Sequence, residues 1–152
     1  MKNLSFLFAI LAILSCEMKK GAVQVKDPAA EDEAAELSLY EEMMEMHDVA
    51  MPKMDDIMEM KGLLKEELER MEGGVEAVRE EREKALRELL KALDDADDAM
   101  MQWMREDAIK PADSIAHQEA MKILRESLEK IEEVNSQMDQ AIKGAKEKIK
   151  QE

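Results

Sequence analysis

Aromatic side chains are nearly missing from this chain: one Trp, one Tyr and two Phe, or 3% of 152 residues. Val, Ile and Thr are also sparse, so a β-rich domain, which needs β-branched and aromatic residues, is ruled against. A single cysteine leaves no internal disulfide to stabilise the fold. With three prolines and five glycines there is little turn chemistry, and long uninterrupted segments are expected. Basic residues number 22 against 37 acidic ones, a net charge of -15, so a phosphate backbone would be repelled and no nucleic-acid partner is expected. No apolar run reaches the roughly 20 residues that a membrane-spanning helix needs. What is abundant is Glu, Lys, Leu, Ala and Met, the composition of long amphipathic helices.

The first sixteen residues read MKNLSFLFAILAILSC, with Lys2 ahead of an apolar stretch from Leu4 to Leu14 interrupted only by Ser5. That stretch has the length of a secretory signal core. It ends Ile13-Leu14-Ser15-Cys16, which resembles the lipobox of bacterial lipoproteins: an aliphatic residue, a small residue, then cysteine. The resemblance implies cleavage after residue 15 and a covalent lipid on Cys16, a thioether-linked lipid with an acylated amino terminus, palmitate among the chains. An ordinary cleaved signal with an incidental thiol, or an uncleaved anchor, are the alternatives. Two or more acyl chains, at about 0.8 kcal/mol per buried CH2, hold a protein on a membrane durably. Glu17 follows the cysteine, without the Asp of a retention signal, which leans towards the outer membrane, facing the periplasm or the surface.

Residues 16–27 read as the lipidated cysteine and a flexible tether, and 28–152 as one helical domain. Asp27-Pro28 is a helix start, a capping side chain followed by proline at the first helical position. An apolar seam follows at steps of three and four: Leu37, Tyr40, Met43/Met44, His47, Met51, Met54, Ile57/Met58, Leu64, Leu68 and Met71. Gly73-Gly74 ends this helix, expected at about 28–72. A second helix, about 75–107, carries Val78, Ala85/Leu86, Leu89/Leu90, Leu93, Ala96, Met100 and Trp103/Met104. Pro111 then punctuates, with Asp113 or Ser114 as cap for a third helix, about 113–150. Its seam is His117, Met121, Leu124, Leu128, Ile131, Val134, Met138, Ile142, Ala145 and Ile149. Each helix is apolar on one side only and must bury that side against the others. Short connections make neighbours antiparallel, which gives an all-α, up-down-up three-helix bundle of coiled-coil character. Pro52 should kink the first helix, since it removes one hydrogen bond and crowds the carbonyl of Asp48.

Three stretches resemble a family: Leu39-Tyr40-Glu41-Glu42-Met43, then Met46 to Met54 (MHDVAMPKM), then Asp94 to Met104 (DDADDAMMQWM). Together they are similar to small bacterial lipoproteins that carry the label "viral A-type inclusion protein". The resemblance spans most of the chain after Cys16. It implies a helical lipoprotein and carries no activity with it.

Fifteen methionines are the remaining excess, and seven of them fall between residues 43 and 60, beside His47. Thioethers and imidazole are ligands for Cu(I). His47 and Met51, four apart, share a helical face. Folding the chain at 73/74 and near 110 levels His47 with Met100 and with about residue 120. One layer is then expected to hold both histidines, His47 and His117, with Met43, Met44, Met51, Met100, Met104 and Met121, next to Trp103. The simpler reading takes these methionines as core, for Met is a flexible filler of helical interfaces. The acids Asp94, Asp95, Asp97 and Asp98 lack the glycine turn of a calcium loop and read as a solvated face.

The sequence therefore points to a membrane-anchored envelope lipoprotein that works by protein-protein interaction or as a structural element, without catalysis. Its expected partners are the membrane, through the lipid, and an envelope protein or a second copy. The alternative is a Cu(I)-binding lipoprotein built on the Met/His layer. No resident cofactor is expected under the first reading.

Overall fold

The computed structural model describes residues 27–71, 76–112 and 114–150. Three helices account for nearly all of them: α1 (Pro28–Arg70), α2 (Glu76–Glu106) and α3 (His117–Ile149), with no strand among the described residues. The helices pack on one another as an all-α three-helix bundle, the class the composition implies. The signal segment, Cys16, the Gly73-Gly74 turn and Asp113 lie outside the described residues.

α1 starts as its sequence dictates. The Asp27 carboxylate accepts from the Ala29 backbone N–H at 3.1 Å, and Pro28 occupies the first turn, where its missing N–H costs nothing. The helix then continues through Pro52 without a break for 43 residues, about 65 Å. α3 begins four residues later than the expected 113. Its N-cap is Ala116, with no side-chain hydrogen bond, so Ser114 does not cap it.

Cross-helix ion pairs fix the directions. Lys61 on α1 meets Asp94 and Asp97 on α2, and Glu67 meets Arg82, so the α1 number falls as the α2 number rises: the pair is antiparallel. On the other side Lys53 meets Asp139 and Asn135, and Asp56 meets Lys146, numbers that rise together, so α1 and α3 run parallel. The topology is up-down-up.

The core follows heptads, with Met60 and Ile142 buried beside them. α1 buries Met43, Ala50, Ile57 and Leu64, each seven residues apart, and α3 buries Ala120, Leu124, Ser127, Ile131, Val134, Met138, Ala141 and Ala145 in alternating steps of four and three. That is knobs-into-holes spacing. Burying each large aliphatic side chain contributes about 1.5–3 kcal/mol, while the alanines bring the helix backbones close. Three expected members of the α1 seam lie elsewhere: Leu37, Met51 and Met58 are 44%, 37% and 69% exposed. A helix of this length carries more apolar residues than one contact stripe can cover. The small Ala50 sits on the axis of the contact, where Met51, one residue round, is turned out.

Candidate functional site

The expected Met/His layer divides in two. His47 projects from α1 towards α2, where its ring stacks on the indole of Trp103, with centroids 5.7 Å apart and planes 25° from parallel. Its Nδ1 lies 3.0 Å from Oδ1 of Asp48, the next residue. Met43 and Met100 are fully buried, and Met44, Met46, Met54 and Met104 are partly buried against the same core. Met51 stands at the edge with more than a third of its surface exposed.

Trp103 is the anchor of this layer. It is 2% exposed, and its Nε1–H donates to the backbone carbonyl of Ser127 on α3 at 3.0 Å. Ser127, buried on the α3 seam, donates its hydroxyl to the carbonyl of Asp107 at 2.7 Å. Asp107 in turn accepts from Lys130. The carbonyl of Asp107, just past the end of α2, thus finds a hydroxyl donor on α3, and its carboxylate finds an ammonium there.

His117 lies in a different layer. Its Nδ1 is 2.8 Å from Glu36 Oε1 and its Nε2 is 3.5 Å from Asp32 Oδ1, both on the first turns of α1. Glu36 precedes His47 by eleven residues, about 16 Å along α1, and His117 precedes Ser127 by ten, about 15 Å along α3. A single site holding both histidines is therefore not formed, and Met121, half-buried one turn from His117, belongs with the second layer. The cause is the α2–α3 connection. α2 ends at Glu106 and α3 begins at His117, and Lys110 and Ile115 line one cavity with Ala29, Glu33 and Glu36 of α1, so there is no sharp turn near 110. Among the described residues no three His, Cys, Asp or Glu side chains converge as a metal site.

The acid cluster of α2 is not wholly solvated. Asp94 and Asp97 clamp Lys61, which is only 19% exposed, and Asp95 pairs with Lys91 on its own helix. The hydrogen bond that Lys61 donates to Asp94 holds its pKa above the ordinary 10.5, burial opposes this, and Asp97 adds to it. Sequence spacing gave no sign of this clamp, because the partner sits on another helix. A buried serine among Leu124 and Ile131 was the available signal for the Trp103 anchor.

Along α1 a second feature stands open. Leu37, Met44, Met51 and Met58 recur every seven residues beside the buried stripe, Met44 half-buried and the other three exposed, and Met101 of α2 is exposed as well. α1 and α2 are the least extensively packed of the three helix pairs. No family model describes this chain, and no curated protein or solved structure matches it.

Proposed function

We propose that this chain is a non-enzymatic, lipid-anchored helical-bundle lipoprotein of a bacterial cell envelope that works by holding another protein against its helical surface. The observation that carries the reading is the row of exposed Leu37, Met51 and Met58 on one long helix, in a surface otherwise dense in charge. Contiguous exposed apolar surface rimmed by polar residues marks interaction sites, and methionine repacks readily around a partner. Among the described residues no helix is long and apolar enough to cross a membrane, so membrane attachment in this reading rests on the lipid of Cys16. Expressing the full chain and Cys16→Ala with an alkyne-palmitate label tests the anchor. Label and membrane fractionation should both be lost in Cys16→Ala; an unlabelled wild-type chain would remove the lipoprotein reading.

A second reading, Cu(I) binding, has one observation in its favour. Asp48 engages Nδ1 of His47, and a carboxylate there orients an imidazole for a metal at its other nitrogen, with Met43, Met44, Met100 and Met104 in the surrounding core. An anaerobic Cu(I) competition titration beside His47→Ala tests it. One-to-one binding lost on substitution supports this reading, and binding indifferent to His47 removes it.

A further inference from the structure

We propose that the open groove between α1 and α2 docks a basic amphipathic helix of a partner protein. The inference rests on the reading above and names the partner's chemistry. Leu37, Met44, Met51 and Met58 form a straight row of four positions at seven-residue spacing, about 32 Å long, beside the buried stripe of α1. Residues seven apart present one seam to a neighbouring helix, and a fourth helix laid there would pack them as knobs into holes. Met101 is exposed on α2, which ends at Glu106, three residues past the level of His47, so Met44, Met51 and Met58 run alongside α2 and Leu37 lies beyond its end.

The rim of the groove states the charge of its occupant. Four residues beyond Leu37, Met44 and Met51 stand Glu41, Asp48 and Asp55, and Glu59 follows Met58. Glu41, Asp48 and Asp55 occupy a flanking position of that heptad, where charge chooses a partner, and Glu59 adds to the same acidic face. All four are exposed, and among the described residues neither Glu41, Asp55 nor Glu59 has an ion-pair partner. Between residues 31 and 59 there are eleven acids and one basic residue, Lys53, which is committed to Asp139 and Asn135 of α3. A second copy pairing α1 against α1 in the antiparallel sense would set this acidic flank against itself. A helix with Lys or Arg flanking its own apolar stripe satisfies both the row and the rim.

Two experiments test the proposal. The first uses the full chain in phosphatidylcholine vesicles and two fluorescent peptides of about four heptads, one Leu/Lys and one Leu/Glu, with identical apolar faces. Protein-free vesicles give the background. The Leu/Lys peptide should bind, at least tenfold more tightly than the Leu/Glu peptide. Met51→Glu with Met58→Glu, both exposed positions, should weaken it at least tenfold, while Val78→Glu near the far end of α2 should leave it unchanged. Reversing the rim with Glu41→Lys, Asp48→Lys and Asp55→Lys should invert the peptide preference. Binding that ignores either set of substitutions, or an absence of binding to a chain folded by circular dichroism, overturns the proposal.

The second places a photo-crosslinking residue at Met58 or at Val78 in cells. An adduct from position 58 to a basic segment with apolar residues at helical spacing supports the groove. An adduct to a second copy, or to the chain's own residues before 27, overturns it. Adducts from position 78 alone overturn the groove and leave the interaction reading standing; none from either position removes both.

Discussion

The indole N–H of Trp103 on α2 donates to the main-chain carbonyl of Ser127 on α3, at 3.0 Å and out of contact with water. A carbonyl already serving an α-helix thus has its second lone pair filled by a side chain from the neighbouring helix. This bond sets the level of α2 against α3, and everything above and below follows by helical rise.

Its removal should be measurable. Trp103→Phe keeps most of the apolar ring and loses the donor, so unfolding free energy should fall by about 1–2 kcal/mol. Trp103→Ala also empties the core and should cost about 3–5 kcal/mol. Ser127→Ala leaves that bond in place but strips the carbonyl of Asp107 of its hydroxyl partner, for about 1 kcal/mol. Urea denaturation followed by circular dichroism reads all three. A Ser127→Ala chain as stable as wild type would show that water reaches the end of α2.

Part of this was legible in the residues. Folding at Gly73-Gly74 levels His47 with Met100, and the structure stacks His47 on Trp103, less than one turn away. The α2–α3 level was missed, because loop length alone does not tell a tight turn from a ten-residue connection. The seams were legible in period and not in rotation. Reading apolar size favours Leu37, Met51 and Met58, whereas contact between helices favours whatever lets the backbones approach, here Ala50, Ala120, Ser127 and Ala141. Small residues carry a weak hydropathy signal and a strong packing role. The Lys61 clamp needed a register before it could be seen.

That clamp gives a pH dependence with a definite sign. Lys61 has a folded pKa raised above 10.5, chiefly by the hydrogen bond it donates to Asp94. A raised lysine pKa contributes stability that is whole below the unfolded value and is lost as pH rises through the folded one. The clamp is therefore intact at neutral pH and weakens only above about pH 10.5. Lys61→Met should be less stable than wild type near neutrality, since Asp94 and Asp97 then face each other across an uncharged side chain. The gap between the two chains should narrow in alkaline solution. A constant gap in urea midpoint from about pH 8 to pH 11.5 would refute this.

α1 carries two residues that oppose its own helix, and each should yield to alanine. Pro52 is exposed, deprives the Asp48 carbonyl of its N–H partner and is buried against nothing. Pro52→Ala should raise stability by about 1–3 kcal/mol, the helical gain less the lost stiffness of the unfolded chain. Gly62 has no heavy atom within 4 Å of where a Cβ would stand, so Gly62→Ala should add about 1 kcal/mol. The two sites are ten residues apart with no shared partner, so the double variant should show the sum. A destabilised Pro52→Ala would mean that the bundle depends on a bend at that position.

The separation of the two histidines can be read from fluorescence, because Trp103 is the only tryptophan. The His47 ring lies over its face at 5.7 Å, with Asp48 on Nδ1. An imidazole stacked on the indole face contributes to the indole's surroundings, so removing the ring should change the Trp103 emission spectrum at fixed pH, with circular dichroism unchanged. His47→Gln should show that change. His117→Gln should not, because His117 answers to Asp32 and Glu36 in another layer. Should the spectrum move in His117→Gln and stay put in His47→Gln, the level of α2 against α3 would have to be redrawn, with His117 and Met121 brought back beside Trp103.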